Sequence, residues 1–586
     1  MTVDATLDRA THASTSRTRL FLAVGLCLLV YAVVAWLLAR HQEFWSPDSS
    51  LRFVQVGAFA ERGFAGGSVP YPAEALDPEG RFFPAGPWFH FAAAGRQYIA
   101  YLPYFALITA PLYRVFGFPG LLLLPLAGGA AAVGVTYVGL RRLVPEGAAW
   151  GALAVGLGTP LLVYSTVFWD HSLVTALGAG ALALAAVALE APGGPRGAPL
   201  FAAGVLLGGG LWLRNEMYPL ALVAVAAWFF LAPGRRLGST LAMATGVLAA
   251  AAPLWALNVA LQGRPLGWKG QGLAIGRLGE LTGTGDPRSA IDFVVSRWSN
   301  AYFQLAAPEF YAAGVPALTA GLGVAVALLA AAALLWVGVR RGTPRLVLAG
   351  ALLAVGVVVW MLSSRPSVSG LLPAVPLVIL AALGGRPRPW EWYLWAVVVA
   401  FVAAVVATGT HGGMQWGPRY LMPVVPALVW LAIAAVARVR WQAPQVWPAA
   451  RLAAGVLLGA SVLVQAAGLD RVDLEMARNV KVNEVIRGAP ADVVATAHEW
   501  LAVGAGRAYF EKQLMLVDTI EELEALSRRL AERRVGRWTY IPRSGYQYRA
   551  AVVQEWTADG GWPFRVVEDR HVNSIRLVTY AGPEGR

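Results

Sequence analysis

Residues 139–172 read GLRRLVPEGAAWGALAVGLGTPLLVYSTVFWDHS, and this stretch sets the pattern for most of the chain. It begins with the pair Arg141-Arg142, continues through an apolar run and ends at Asp170-His171. A helix needs about 20 apolar residues to cross a bilayer. Arginines concentrate in the short cytoplasmic loops of membrane proteins. The stretch therefore predicts one membrane span with its basic end inside and its acidic end outside.

The same arrangement repeats along the chain. Five further short loops carry arginines on the same predicted side: Arg196, Arg235-Arg236, Arg340-Arg341 with Arg345, Arg386 with Arg388, and Arg438 with Arg440. We predict about thirteen spanning helices. They lie near residues 20–39, 119–140, 148–167, 172–190, 199–213, 217–232, 239–260, 313–338, 346–363, 371–384, 391–409, 418–437 and 450–468. An odd number of spans that starts inside the cytoplasm places the C-terminus outside the cytoplasmic (inner) membrane.

Composition supports a polytopic membrane protein and argues against other classes. The 586 residues are 57% hydrophobic and only 14% charged. The formal charge of +13 is spread over pairs that flank spans, which favours contact with lipid headgroups over nucleic acid. Cys27 is the single cysteine, so neither an intrachain disulfide nor a cysteine-based zinc site can form.

Three polar segments are predicted on the outer side. They are a first outer loop at 40–118, a second large loop at 262–311 and a C-terminal domain at 470–586, whereas 1–469 forms the membrane domain. The apolar stretch 98–116 contains Pro103 and Pro111, which interrupt regular helix, so we place it as an interfacial segment.

The C-terminal segment predicts a small α/β domain. ADVVATA, QLMLV, RWTYIP, FRVVED and SIRLVTY are typical of strands, and HEWLAVGA of a short helix. Asp518-Thr519 precedes the helical pattern TIEELEALSRRLAERRV, which has acidic residues in its first turn and arginines at its end. No glycine-rich phosphate loop is found, so nucleotide binding is not indicated.

The acidic candidates lie at the predicted outer ends of spans. Asp48, in FWSPDSSLRF, is either a helix N-cap or a carboxylate that accepts the proton of an attacking hydroxyl or amine. Asp170 and His171 either mark a membrane boundary, or position an acceptor, or assist Asp48. The residues do not indicate a metal site, and whether a divalent metal assists is left open.

The basic candidates are outer arginines, which run against the inside bias. Arg214 and Glu216 interrupt two apolar runs, and they form either a structural ion pair or a phosphate-binding arginine with its orienting carboxylate. Arg365 and Arg419 lie among polar and glycine-rich residues. Each either extends its charge to the interface or binds a phosphate, for which the planar guanidinium is suited.

These features together resemble the GT-C superfamily of integral-membrane glycosyltransferases. The resemblance is to the branch that contains protein O-mannosyltransferases and lipid A aminoarabinose transferases. The matching features are Asp48 after the first helix, the stretch 139–165 followed by WDHS, the segment LLGGGLWLRNEMYPLAL, a large outer loop midway and the C-terminal outer domain.

The resemblance implies a reaction and roles for residues. Such enzymes transfer a sugar from a polyprenyl-phosphate donor to a protein, lipid or glycan acceptor, generally with inversion and without a resident cofactor. In the resemblance, Asp48 would be the base. The residue patterns described above add Asp170 and His171 as catalytic candidates, and Arg214, Glu216, Arg365 and Arg419 as the donor-phosphate site.

The chain also departs from these relatives. The aminoarabinose branch often has a lysine where this chain has Arg214, and the mannosyltransferase branch often has an acidic pair where Ser49 follows Asp48. The donor sugar and the acceptor therefore stay open. A secondary transporter and a non-catalytic envelope-assembly protein are the alternative functions, although no internal repeat of the transporter type is found.

Overall fold

The structure is a computed structural model and is mainly helical. It describes residues 3–63, 66–191, 197–234, 236–268, 270, 287–309, 317–364, 367–408, 415–543 and 564–582. The helices in chain order are α1 Val3–Ala39, α2 Pro47–Glu61, α3 Tyr104–Phe116, α4 Leu123–Leu143, α5 Ala148–Leu157, α6 Leu161–Tyr164, α7 His171–Leu189, α8 Gly197–Gly210, α9 Met217–Leu231, α10 Arg236–Gln262, α11 Pro287–Leu305, α12 Ala317–Arg340, α13 Pro344–Ser363, α14 Leu371–Ala374, α15 Pro389–Thr408, α16 Val425–Gln442, α17 Trp447–Arg487, α18 Glu499–Val503, α19 Ala508–Glu511 and α20 Ile520–Glu532.

The strands are short and lie mostly near the C-terminus. They are β1 His90–Ala93, β2 Arg96–Ile99, β3 Pro308–Glu309, β4 Ser367–Val368, β5 Val493–Thr496, β6 Gln513–Leu516, β7 Arg537–Ile541, β8 Arg565–Val572 and β9 Ile575–Ala581. Within the described ranges, 3-10 segments cover Phe118–Leu122, Pro145–Gly147, Pro376–Leu383, Arg419–Val424 and Pro444–Val446.

The chain is a multi-pass membrane protein. Among the described residues, nine helices are long and apolar enough to cross a bilayer. They are Arg17–Ala39, Phe118–Leu143, His171–Leu189, Arg236–Gln262, Thr319–Arg340, Pro344–Ser363, Pro389–Thr408, Arg419–Gln442 and Pro444–Arg487. The predicted spans 199–213 and 217–232 correspond to the shorter apolar helices α8 and α9. The total of thirteen stays a prediction.

Two predicted spans are not continuous helices. In 148–167, α5 ends at Leu157 and a separate turn of helix, α6, begins at Leu161, because Pro160 lies between them. In 371–384, α14 ends at Ala374, one residue before Val375-Pro376, and a 3-10 segment follows. The expectation of one regular helix in each place is therefore wrong.

The segment 98–116 contains one short helix. Pro103 is its N-cap, and α3 then runs for 13 residues straight through Pro111. The length of about 20 Å at 1.5 Å per residue is too short for a bilayer core of about 30 Å, which agrees with a segment that does not span. The expectation that Pro111 breaks the helix is wrong.

The described chain divides into two compact units, and the division differs from the predicted domains. The membrane unit comprises residues 1–37, 122–258 and 272–471, and the second unit comprises 38–121, 259–271 and 472–586. The first outer loop thus belongs with the C-terminal domain. The reason is a shared core, in which Phe82 and Phe83 of the loop are buried with Leu526 and Trp538 of the C-terminal segment.

The C-terminal α/β domain is confirmed. Its five strands have the order β6-β5-β7-β9-β8, with β5 parallel to both β6 and β7 and the last hairpin antiparallel. Thr519 caps α20 by accepting from the Glu522 amide at 3.3 Å. The buried rings of Trp538 and Tyr580 stack with centroids 4.7 Å apart.

Candidate functional site

Asp170 and His171 lie at the start of α7 in the membrane unit. The next residue, Ser172, donates to the Pro125 carbonyl at 2.8 Å, which ties this end of α7 to α4. A Cβ at Gly128 of α4 would lie 2.6 Å from the Leu173 nitrogen, so glycine permits this close approach. Asp170 and His171 are 0% and 1% exposed, so both lie inside the protein rather than only at a boundary.

Arg214 lies on a six-residue turn between α8 and α9. Trp212 anchors this turn by donating from its indole nitrogen to the Ala250 carbonyl of α10 at 2.9 Å. The guanidinium of Arg214 contacts two carboxylates: Nε is 2.6 Å from Glu216 Oε1, and Nη1 is 3.0 Å from Asp170 Oδ1. The ion pair with Glu216 is therefore present, and Asp170 extends it.

His171 completes this contact set. Its Nε2 lies 3.2 Å from Arg214 Nη1. Because arginine has only donors, Nε2 is the acceptor in this hydrogen bond. The four side chains Asp170, His171, Arg214 and Glu216 form one hydrogen-bonded cluster, which we call the arginine cluster. Its formal charge is one positive and two negative.

Arg419 adds a second guanidinium beside this cluster. It begins the 3-10 segment that packs against α7. This close packing requires glycine at position 178 of α7, because a Cβ there would lie 2.9 Å from the Pro423 carbonyl oxygen. The guanidinium carbon of Arg419 lies 5.3 Å from the Trp169 ring centroid and 4.9 Å from that of Tyr420, and Nη2 donates to the Tyr420 hydroxyl at 3.0 Å. Tyr420 also faces Arg214, whose guanidinium carbon is 5.9 Å from the ring. Two arginines therefore share one aromatic ring.

Asp48 lies in the second unit and is not the cap of its helix. Ser46 caps α2 by accepting from the Ser49 amide at 3.3 Å, and Asp48 is in the first turn. The interpretation of Asp48 as a cap is wrong, because Pro47 starts the helix one residue after Ser46. Instead, the Tyr101 hydroxyl donates to Asp48 Oδ1 at 2.5 Å, which fixes one carboxylate oxygen.

Sequence reasoning missed the side chains around these groups. Arg52 follows Asp48 by one helical turn, is 3% exposed and lies with its guanidinium carbon 5.1 Å from the Tyr101 ring centroid. The i,i+4 spacing on α2 could have indicated Arg52. Tyr101 and Tyr420 left no comparable signal, because tyrosine is common at membrane interfaces.

Several candidates cannot be placed. Arg365 lies outside the described residues, as do Arg196, Arg235 and residues 269, 271–286 and 310–311 of the second outer loop. Within the described part of the chain, no group of three His, Cys, Asp or Glu side chains forms a metal-ligand set.

Comparison with known proteins identifies the fold. No protein-family model matches the sequence, and no curated protein matches it. The crystal structure of ArnT from Cupriavidus metallidurans bound to undecaprenyl phosphate matches with a TM-score of 0.50 and 14% identity, over 96% of this chain and 98% of that one. The apo ArnT structure matches over 97% and 98%, also at a TM-score of 0.50 and 14% identity. The chain therefore shares the fold of ArnT, and the resemblance found in the sequence is confirmed at the level of the fold.

Proposed function

We propose that this protein is a glycosyltransferase that moves a sugar from a polyprenyl-phosphate donor to an acceptor on the outer side of the cytoplasmic membrane. The observation that carries the proposal is the pairing of Arg214 with Asp170, Glu216 and His171, together with Arg419, which contacts the same Tyr420 ring as Arg214. Buried charged groups inside membrane proteins usually mark a substrate path. This cluster occurs in a fold shared with ArnT, which was crystallised with undecaprenyl phosphate.

The arginines take different roles in this proposal. Two carboxylates contact Arg214, so its charge is largely compensated and it orients Asp170 and Glu216 beside the donor phosphate. Arg419 contacts the phosphate directly. Its guanidinium stabilises the negative charge that grows on the phosphate as the bond to the sugar breaks. Arg365, whose position is not described, is a further phosphate ligand in the proposal.

Asp48 acts as the general base. The acceptor hydroxyl or amine attacks the anomeric carbon, its proton passes to a carboxylate oxygen of Asp48, and the phosphate leaves with the bonding electrons. Because that phosphate is already ionised, the reaction needs no general acid. The hydrogen bond from Tyr101 positions the Asp48 carboxylate for this role. Attack opposite the leaving phosphate inverts the anomeric carbon.

A transfer assay tests the base. Purified protein is incubated with a panel of radiolabelled polyprenyl-phosphate sugars, and release or transfer of the label is measured. Asp48→Asn should lower the turnover about 10²- to 10⁴-fold, the usual contribution of a general base, and leave the melting temperature unchanged. The matched control is Glu61→Gln, which neutralises an exposed carboxylate at the other end of α2 and should keep full activity.

The same assay tests the phosphate ligand. Arg419→Lys keeps the charge but loses the planar donor pair, so the KM for the donor should rise while acceptor KM is unchanged. Uniformly negative results with the whole donor panel would contradict the glycosyltransferase proposal. Intact envelope glycan assembly in cells that carry only Asp48→Asn would favour a scaffold role instead.

A further inference from the structure

The helix that carries Asp48, α2, is enclosed by other parts of the second unit, and the C-terminal domain supplies much of that enclosure. All residues of α2 from Ser49 to Phe59 are buried. Apolar side chains of α2 share one core with the segment 502–509 of the C-terminal domain, namely Leu51, Val54 and Ala58 with Ala502, Val503 and Tyr509. Protein cores are closely packed, so α2 cannot rotate without repacking this core.

A polar contact fixes the start of α2 two residues after Asp48. The Gly506 amide donates to the Ser50 hydroxyl at 2.7 Å, and Ser50 is 1% exposed. Gly506 has a φ of +52°, in the left-handed region that favours glycine. A Cβ at this position would also lie 3.0 Å from Glu43 Oε2. Glycine therefore allows this amide to approach α2.

Two asparagines of α17 hold the chain segments that meet at this contact. Asn483 Nδ2 donates to Glu43 Oε2 at 2.8 Å and to the Gly504 carbonyl at 3.2 Å. Asn479 Nδ2 donates to the Phe44 carbonyl at 2.7 Å. The segment that leads into α2 and the turn that contacts it are therefore tied to the same part of α17.

An apolar contact fixes α2 two helical turns further on. Phe510 of α19 packs edge-on against Phe53, with ring centroids 6.0 Å apart. A Cβ at Gly57 would lie 2.6 Å from the Phe510 ring, so glycine makes room for this ring. Gly57 follows Ser50 by seven residues, which places both on one face of the helix. The polar and the apolar contact together oppose rotation of α2 about its axis.

We propose that Ser50, Gly506 and Phe510 are positioning residues for the transfer reaction, through which the C-terminal domain sets the place of the Asp48 carboxylate. This inference rests on the proposed role of Asp48 as the general base. A base must lie within about 3 Å of the proton that it takes, and a misplacement of about 1 Å can lower turnover about 10²-fold. A small rotation of α2 should therefore reduce catalysis while the donor is still bound.

Steady-state kinetics of the purified full-length protein test the polar contact. Ser50→Ala removes the acceptor of the Gly506 amide and should lower kcat about tenfold, with the KM for the donor unchanged. Thr579→Ala is the matched control, because it removes a buried hydroxyl from β9 of the same domain. It should keep kcat even if the melting temperature falls. Unchanged kcat in Ser50→Ala, or an equal loss in Thr579→Ala, would overturn the proposal.

Rescue by a second substitution tests the apolar contact. Gly57→Ala alone should lower kcat about tenfold, because its Cβ meets the Phe510 ring and displaces α2. Phe510→Leu removes the ring atoms nearest to that Cβ. The double variant should therefore turn over at least about threefold faster than Gly57→Ala alone, since the two changes are coupled through one contact. Equal or slower turnover of the double variant would contradict the proposed contact.

Hydrogen exchange separates this inference from the transfer proposal. The α2 amides should exchange at least about tenfold faster in Ser50→Ala than in the unaltered protein, and at the unaltered rate in Thr579→Ala. Unchanged exchange in Ser50→Ala, combined with loss of turnover in Asp48→Asn, would overturn only this inference. Full turnover in Asp48→Asn would overturn the general base itself, and the positioning role with it.

Discussion

Single residues in this protein take their chemistry from their neighbours. Arg214 looks like a phosphate ligand in the sequence, but Asp170 and Glu216 occupy its donors in the structure. Removal of either carboxylate would leave a partly buried cation without full compensation, which is costly in a low-dielectric surrounding. Arg419 lies instead against the aromatic faces of Trp169 and Tyr420.

Glu43 provides a prediction at the residue scale. It is 5% exposed, and Asn483 Nδ2 donates to its Oε2 at 2.8 Å. Burial raises the pKa of Glu43 to about 7, and the hydrogen bonds and nearby arginines only partly oppose this. A carboxyl whose pKa is raised on folding stabilises the protein below its unfolded pKa and loses that contribution as pH rises through the folded value.

Glu43→Gln should therefore remove a pH dependence. The unaltered protein should lose ~3 kcal/mol of unfolding free energy between about pH 4.5 and 7, and the variant should lose much less because its amide does not ionise. The amide oxygen can still accept from Asn483. Thermal unfolding across this pH range checks the slope. Glu61→Gln, at an exposed position, should keep the slope of the unaltered protein, and an unchanged slope in Glu43→Gln would contradict the assignment.

At the scale of elements, small residues decide which helices approach closely. A Cβ at Gly204 of α8 would lie 2.0 Å from the Met243 carbonyl oxygen of α10, and one at Gly246 would lie 2.1 Å from the Phe201 carbonyl oxygen. Gly208 faces the same helix. Such spacing lets two backbones touch, as is common between membrane helices. The contact supports the turn that carries Arg214, because Trp212 hydrogen-bonds to α10.

Gly204→Ala should push α8 and α10 apart. We expect the free energy of unfolding to fall by about 1–3 kcal/mol, the usual cost of overpacking. The rate of sugar transfer from the donor should fall as well. Gly209→Ala on the same helix is the control, since a Cβ there would meet nothing within 4 Å. Because alanine has a higher helix propensity than glycine, the stability of Gly209→Ala should be equal to that of the unaltered protein or slightly higher. Thermal unfolding in detergent compares the two, and equal effects would refute the close-packing explanation.

At the scale of the whole molecule, the sidedness of the loops stays a prediction that labelling can check. Cys27 is buried and is the only cysteine, so added cysteines report without interference. Arg528→Cys on α20 should react with a membrane-impermeant maleimide in intact cells, whereas Arg345→Cys on α13 should react only after permeabilisation. Both positions are exposed in the structure. If Arg345→Cys reacted in intact cells and Arg528→Cys only after permeabilisation, the topology would be the inverse of the predicted one, and the proposed site would not lie on the outer side.

The sequence alone determined the apolar helices, their polar ends and the strands of the C-terminal domain. These depend on local properties, namely the length of apolar runs, the placement of arginines and the period of the hydrophobic pattern. Proline effects were predicted less well. Pro160 separates α5 from α6 although the run 148–167 looked continuous, and Pro111 lies inside α3.

Only the tertiary structure decided which polar groups meet. Asp170 and Arg214 are 44 residues apart yet share a hydrogen bond, and Tyr420 comes from a third segment to face both arginines. It also assigned the first outer loop to the C-terminal unit through a shared core. Such pairings depend on how helices and loops pack over long separations, and a single sequence carries no local signal for contacts of that kind.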